Sequence, residues 1–225
     1  MAFVVFLVGL AYLQTLPFVQ ARAAEAPSRI PTYILTICFE LVMVGYVWVF
    51  GLRRRKIPMR ELIGGKWQRW ADFWRDVGVA ALFWIVVWSV LLVLAFALKF
   101  SGEAAGKFLL PQTPTELAFF VPLALTAGFC EELLFRGYLQ RQFLALTGNT
   151  AASIALQAVV FGAGHMYQGA KGVLVISVYG AMFGILAVMR KSLRPGMMQH
   201  AGQDTITGIG SYFLLKHGLL HILKF

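Results

Sequence analysis

The chain has 225 residues, 59% of them hydrophobic and 13% charged, and its 20 Lys and Arg against 10 Asp and Glu give a net charge of +10. That leaves no room for a soluble catalytic domain, because several apolar runs exceed the ~18 residues that a bilayer-crossing helix needs. The basic excess then reads as an orientation signal and a contact for anionic lipid headgroups, and nucleic acid is not an expected partner.

In chain order, a first span is expected over residues 2–20, with Pro17 near its end. It reads as a retained span, since no Lys or Arg precedes the apolar run as a cleaved signal would require. Span two covers residues 31–50, opens on Pro31, and stops at Arg53, Arg54, Arg55 and Lys56. In the polar connection that follows, Trp67, Trp70, Trp74 and Val77 recur at helical spacing, which predicts an interfacial helix or a tryptophan belt at a span entrance. Span three is expected over 77–99, then a Gly/Pro-containing connection over 101–115. Span four, 116–146, is too long for one crossing, so one end should project into water or break. Spans five, six and seven are expected over 151–167, 172–189 and 195–215. Cys38 and Cys130 fall inside spans and read as small buried hydrophobes.

The fold class is therefore an all-α, polytopic membrane bundle of about seven transmembrane helices plus an interfacial helix. It divides into an N-terminal transmembrane region (1–114, with a cytoplasmic basic loop at 53–76), a core at 115–215, and an apolar tail at 216–225. Basic residues are concentrated on the side that holds Arg53–Arg75, which puts the N-terminus in the cytoplasm and the protein in the plasma membrane.

Three polar groups interrupt the apolar spans, and ionisable residues at that depth are expensive. Glu131 and Glu132 are adjacent, and only Glu132 stands four residues before Arg136, the favourable order for a helical ion pair. Glu131 has no partner in its own helix, and a lone acid in an apolar setting suits a general base. Phe161 and His165 share a face at spacing four, as do His200 and Asp204, and Gln157 lies one turn before Phe161. Gly162, Gly164, Gly180, Gly184, Ala201 and Gly202 allow close helix approach, so these groups can converge. Phe161 reads as packing that supports His165, and Met197 and Met198 as packing. Tyr138, Gln140 and Tyr167 read as interfacial or networked side chains, and His217 and His221 as interfacial.

Such a cluster suits acyl-bond hydrolysis. Glu131 would activate water and return the proton to the leaving amine, His165 would orient the water, and His200 with Asp204 would meet the oxyanion. An ionised Asp204 can only accept hydrogen bonds, so it must be protonated or must instead orient His200. Glu131, His165, His200 and Asp204 are also chemically able to hold a divalent metal such as zinc, although the chain has no His-Glu-x-x-His run.

The order Glu-Glu-x-x-x-Arg at 131–136, Phe-x-x-x-His at 161–165 and His-x-x-x-Asp at 200–204 resembles the CAAX protease and bacteriocin-processing family, also called Abi or type II CAAX prenyl endopeptidase-like. The resemblance covers residues 115–215. It implies an intramembrane endopeptidase acting on a peptide or membrane-protein substrate through a glutamate-activated water, with no cofactor required. It also implies Glu131, Glu132, Arg136, His165, His200 and Asp204 as site residues. The family's last position is Asn or Asp, and Asp204 keeps the metal reading alive. An ion-coupled carrier and an inert scaffold or immunity factor are the competing readings.

Overall fold

The structure, a computed structural model, describes residues 2–99 and 109–218. Most of the expected connection at 101–115 and the end of the tail, with His221 and Lys224, lie outside the described residues. Ten α-helices follow in order: α1 (Ala2–Leu13), α2 (Pro17–Glu25), α3 (Ile30–Tyr46), α4 (Met59–Ile63), α5 (Trp70–Leu98), α6 (Pro114–Glu131), α7 (Gln140–Thr147), α8 (Thr150–Ala163), α9 (Gly169–Arg190) and α10 (Arg194–Lys216). Two π-helical stretches, Val47–Leu52 and Glu132–Leu139, prolong α3 and join α6 to α7, and the described residues contain no strand.

Four helical stretches are long and apolar enough to cross a bilayer: Ile30–Leu52, Trp70–Leu98, Pro114–Thr147 and Met166–Arg190. A fifth span results if α1 and α2 count as one, but they are bent by 63° where Pro17 opens a new helix. The expected seven are not reached by this measure. Helix α8 has only 14 residues, because Asn149 caps its start and Gly162 and Gly164 flank its end. Helix α10 has 23 residues, but its Arg194, His200, Gln203, Asp204 and Lys216 leave it too polar.

The interfacial helix is not a separate element. Trp70 and Trp74, 80% and 64% exposed, lie on the first turns of α5, which runs on as one 29-residue helix. Trp67 precedes it and donates its indole N–H to Asp76 at 2.8 Å. This is the tryptophan-belt form of the expectation. Cys130 is buried as expected, whereas Cys38 is exposed on the outward side of α3.

Burial identifies the central helix. Half of the apolar window of the α6–α7 rod is buried, against 11% for α5, whose Leu82, Ile85, Val93 and Phe96 face outward. An apolar face of that size belongs against lipid. Helix α6 packs on α10 and on α3, and α8 packs on α9. The start of α6 is fixed by Thr113, whose hydroxyl accepts the Glu116 N–H at 3.1 Å. Glu116 in turn accepts the N–H groups of Arg29 and Gln112 and pairs with the Arg29 guanidinium at 3.7 Å. At the other end Asp76, fully buried, pairs with Arg190 at 3.3 Å and Arg194 at 3.0 Å, tying α5 to the α9–α10 corner. That corner sets where α10 begins, and so where His200 falls.

Candidate active site

Small residues bring α6 and α10 together. A Cβ on Gly128 would fall 2.7 Å from the Cα of Ala201, so the two backbones meet just before Glu131 on one helix and just after His200 on the other. Gly162 stands against Ser177, Gly180 against Phe161, and Gly184 against Gln157 and Gln140, all at close approaches. Gly202 faces open space and Gly164 meets only carbonyls of its own turn, contrary to expectation, while Gly128 was not foreseen.

The two adjacent glutamates bracket one imidazole. His200 Nδ1 lies 3.1 Å from Glu132 Oε1, and because a carboxylate only accepts, Nδ1–H is the donor. The other ring nitrogen, Nε2, lies 3.8 Å from Glu131 Oε2 and 3.7 Å from Asp204 Oδ2. Glu132 Oε1 also accepts from Arg136 Nη1 at 2.9 Å, so the in-helix pair forms but serves the histidine as well. Glu132 and Arg136 sit within the π-helical stretch, a turn type often found at functional sites.

Arg136 is sealed from below. Its Nη2 donates to the Gly180 carbonyl at 3.2 Å, and Gln157 Nε2 donates to the same oxygen at 2.9 Å. The guanidinium lies 4.3 Å from the Phe161 ring centre and 5.1 Å from that of Phe183, a cation–π stack. Phe161, Tyr179 and Phe183 all stand edge-on to the His200 ring, at 6.4, 5.6 and 5.5 Å. This aromatic floor fixes the imidazole plane. The rim is different: the Glu131 and Asp204 side chains are 22% and 36% exposed, against 6% for His200 and 1% for Glu132. Approach is therefore from the Nε2 side, where Glu131 Oε2 has no hydrogen-bond partner.

His165 lies just past the end of α8, and its Nδ1 is 2.9 Å from the Phe161 carbonyl, to which it donates. Among the described residues it makes no hydrogen bond or ion pair with Glu131, His200 or Asp204. Phe161 links them instead, 5.0 Å from the His165 ring and also against His200. Gln140 is buried and donates to the Gly184 carbonyl, and Tyr167 lies 5.9 Å from the His165 ring.

Glu131, His200 and Asp204 are zinc-type donors. Yet among the described residues no three His, Cys, Asp or Glu side chains are arranged to hold one ion. His200 holds Nδ1 on Glu132 and His165 holds Nδ1 on a backbone carbonyl, which leaves Nε2 of each as the nitrogen open to a ligand.

Sequence reading missed Glu40 on α3, 7% exposed and within electrostatic reach of Glu131, His200 and Asp204. The signal was present, since Glu40 is the sole acid or base between Ile30 and Leu52. It missed Tyr179 and Phe183 as the floor, for which no motif exists. A cavity of about 450 Å³ lined by Lys66, Trp67, Phe129, Arg194, Met197 and Met198 lies beside the α10 entrance, separate from the cluster.

The fold and cluster define a class: an all-helical integral membrane protein that gathers acids and an imidazole between its helices. Residues 113–206 match the family model described as type II CAAX prenyl endopeptidase Rce1-like, the family that the three motifs resemble. The matched stretch starts at the cap of α6 and ends two residues after Asp204. The family is one of proteases that act on peptide substrates. No curated protein and no solved structure gives a match.

Proposed function

We propose that this protein is an intramembrane endopeptidase that hydrolyses a peptide bond of a membrane-associated protein or peptide with a water activated by Glu131. One observation carries the reading: Glu131 Oε2 is buried, has no hydrogen-bond partner among the described residues, and lies 3.8 Å from His200 Nε2. A base thus faces a ring nitrogen across the open side of the cluster.

Glu131 takes a proton from water, and the hydroxide adds to the scissile carbonyl carbon. The oxyanion that forms is met by His200 in its doubly protonated form, with Nε2–H donating and Nδ1–H held by Glu132. Asp204, 3.7 Å from Nε2, orients that nitrogen, the role open to an ionised carboxylate. His165 orients the water through its second ring nitrogen. The C–N bond then breaks, and Glu131 passes its proton to the leaving amine, which restores the site. The mouth opens towards the cytoplasm, with the basic residues from Arg53 to Arg75 against anionic headgroups and the N-terminus on the same side.

The test is reconstitution in liposomes, with peptide products read by mass spectrometry and solute flux read in parallel. Cleavage of added peptides with no flux is expected. Flux without cleavage would support an ion-coupled carrier, and neither would leave a scaffold.

A further inference from the structure

The proposed chemistry uses residues from Glu131 onward, and Glu40 lies outside the region that matches the family. Its placement is not that of a structural acid. It stands in the inward stripe of α3 formed by Tyr33, Ile37, Glu40, Met43 and Val47, which packs on α6. Each of the other buried acids has an arginine: Asp76 has Arg190 and Arg194, Glu116 has Arg29, and Glu132 has Arg136. Among the described residues Glu40 has none, and its Oε2 is buried without a hydrogen-bond partner there. A buried acceptor left unpaired is costly, so a chain that pairs its other buried acids leaves this one for a partner from outside.

The neighbours say which partner. Glu40 is within electrostatic reach of Glu131, His200 and Asp204, the groups that face the scissile bond. An extended peptide presents carbonyl and N–H groups in alternation within a few ångströms. Because α3 packs on α6, which carries Glu131, an acceptor on α3 stands within the span of a peptide held at the cluster. Given the hydrolase reading, we propose that Glu40 is a substrate-binding residue of this site, its free carboxyl oxygen accepting a backbone N–H of the peptide beside the scissile bond. The role needs only an acceptor oxygen, which a carboxyl offers with or without its proton.

The test compares Glu40→Gln, which keeps an acceptor oxygen, with Glu40→Met, which fills similar volume without one. In reconstituted protein, Glu40→Gln should hold KM within about threefold, while Glu40→Met raises it about tenfold or more, the loss of one hydrogen bond to a buried partner. Because no polar group of the fold depends on Glu40, the melting temperature of Glu40→Met should equal or exceed that of the wild type. Replacing peptide amides one at a time by esters should find one position where the wild type loses as much affinity, and where Glu40→Met loses nothing further. A wild-type KM in Glu40→Met, a drop in its melting temperature, or additive ester effects at every position would overturn the proposal while leaving the hydrolase reading intact. Absence of any cleavage by the wild type would sink that reading, and this one with it.

Discussion

At the scale of single residues, the cluster separates sealed groups from partly exposed ones. Glu132 and Arg136 are sealed, at 1% and 0% side-chain exposure, and each contact they make points at the geometry of His200. Breaking a buried pair by removing one member leaves an uncompensated charge, which costs about 3–5 kcal/mol, whereas replacing both by apolar or neutral groups of similar volume is often tolerated. Arg136→Met should therefore lower the melting temperature sharply, and the double variant Glu132→Gln/Arg136→Met should recover much of the loss. Thermal denaturation of both in detergent checks this. Equal melting temperatures in the single and double variants would mean that the pair is not a closed unit.

At the scale of elements, the site exists because α6 and α10 touch backbone to backbone. One methyl group discriminates this. Gly128→Ala pushes a carbon into Ala201, while Gly202→Ala, one residue further along α10, points into open space. Overpacking costs about 1–3 kcal/mol, while an Ala for Gly in a helix interior otherwise stabilises by about 0.5–1 kcal/mol. Gly128→Ala should lower activity at least tenfold by moving His200 off the glutamates, and Gly202→Ala should leave it unchanged. Kinetics on the two variants decide the matter, and equal effects would contradict the packing account.

The same elements show how far the sequence could be read. The 131–136, 161–165 and 200–204 spacings were legible because charge inside an apolar helix is conspicuous one residue at a time. The partners of each group were not, since they come from other helices: Glu132 reads as the mate of Arg136, and only the fold gives it His200. The π-turns after Glu131 have no sequence signature and were read as α-helix. The count of seven is not confirmed where polar content and local breakers compete with hydropathy, at Pro17, at Gly162 and Gly164, and along α10. Glu40 was legible as a lone charge, yet it lacks a motif that would tie it to residues ninety positions away.

At the scale of the whole molecule, α5 turns apolar side chains outward, and the more deeply buried α6–α7 rod carries Glu131 and Glu132 at its middle. From Pro114 to Glu131 is roughly 25 Å at the helical rise per residue, which is most of the ~30 Å thickness of a bilayer's apolar layer. The Trp70–Trp74 belt and the Arg190–Asp76–Arg194 corner mark one end of the bundle.

The central claim is that the Glu131 carboxylate makes a water nucleophilic. Its most direct test is kcat for Glu131→Gln against the wild type on one cleavable peptide, with the melting temperature measured on the same samples. General-base catalysis is worth about 10²–10⁴-fold, so the account predicts a fall in kcat of that size with an unchanged melting temperature. A Glu131→Gln protein that stays folded and cleaves within a few-fold of the wild-type rate would contradict it.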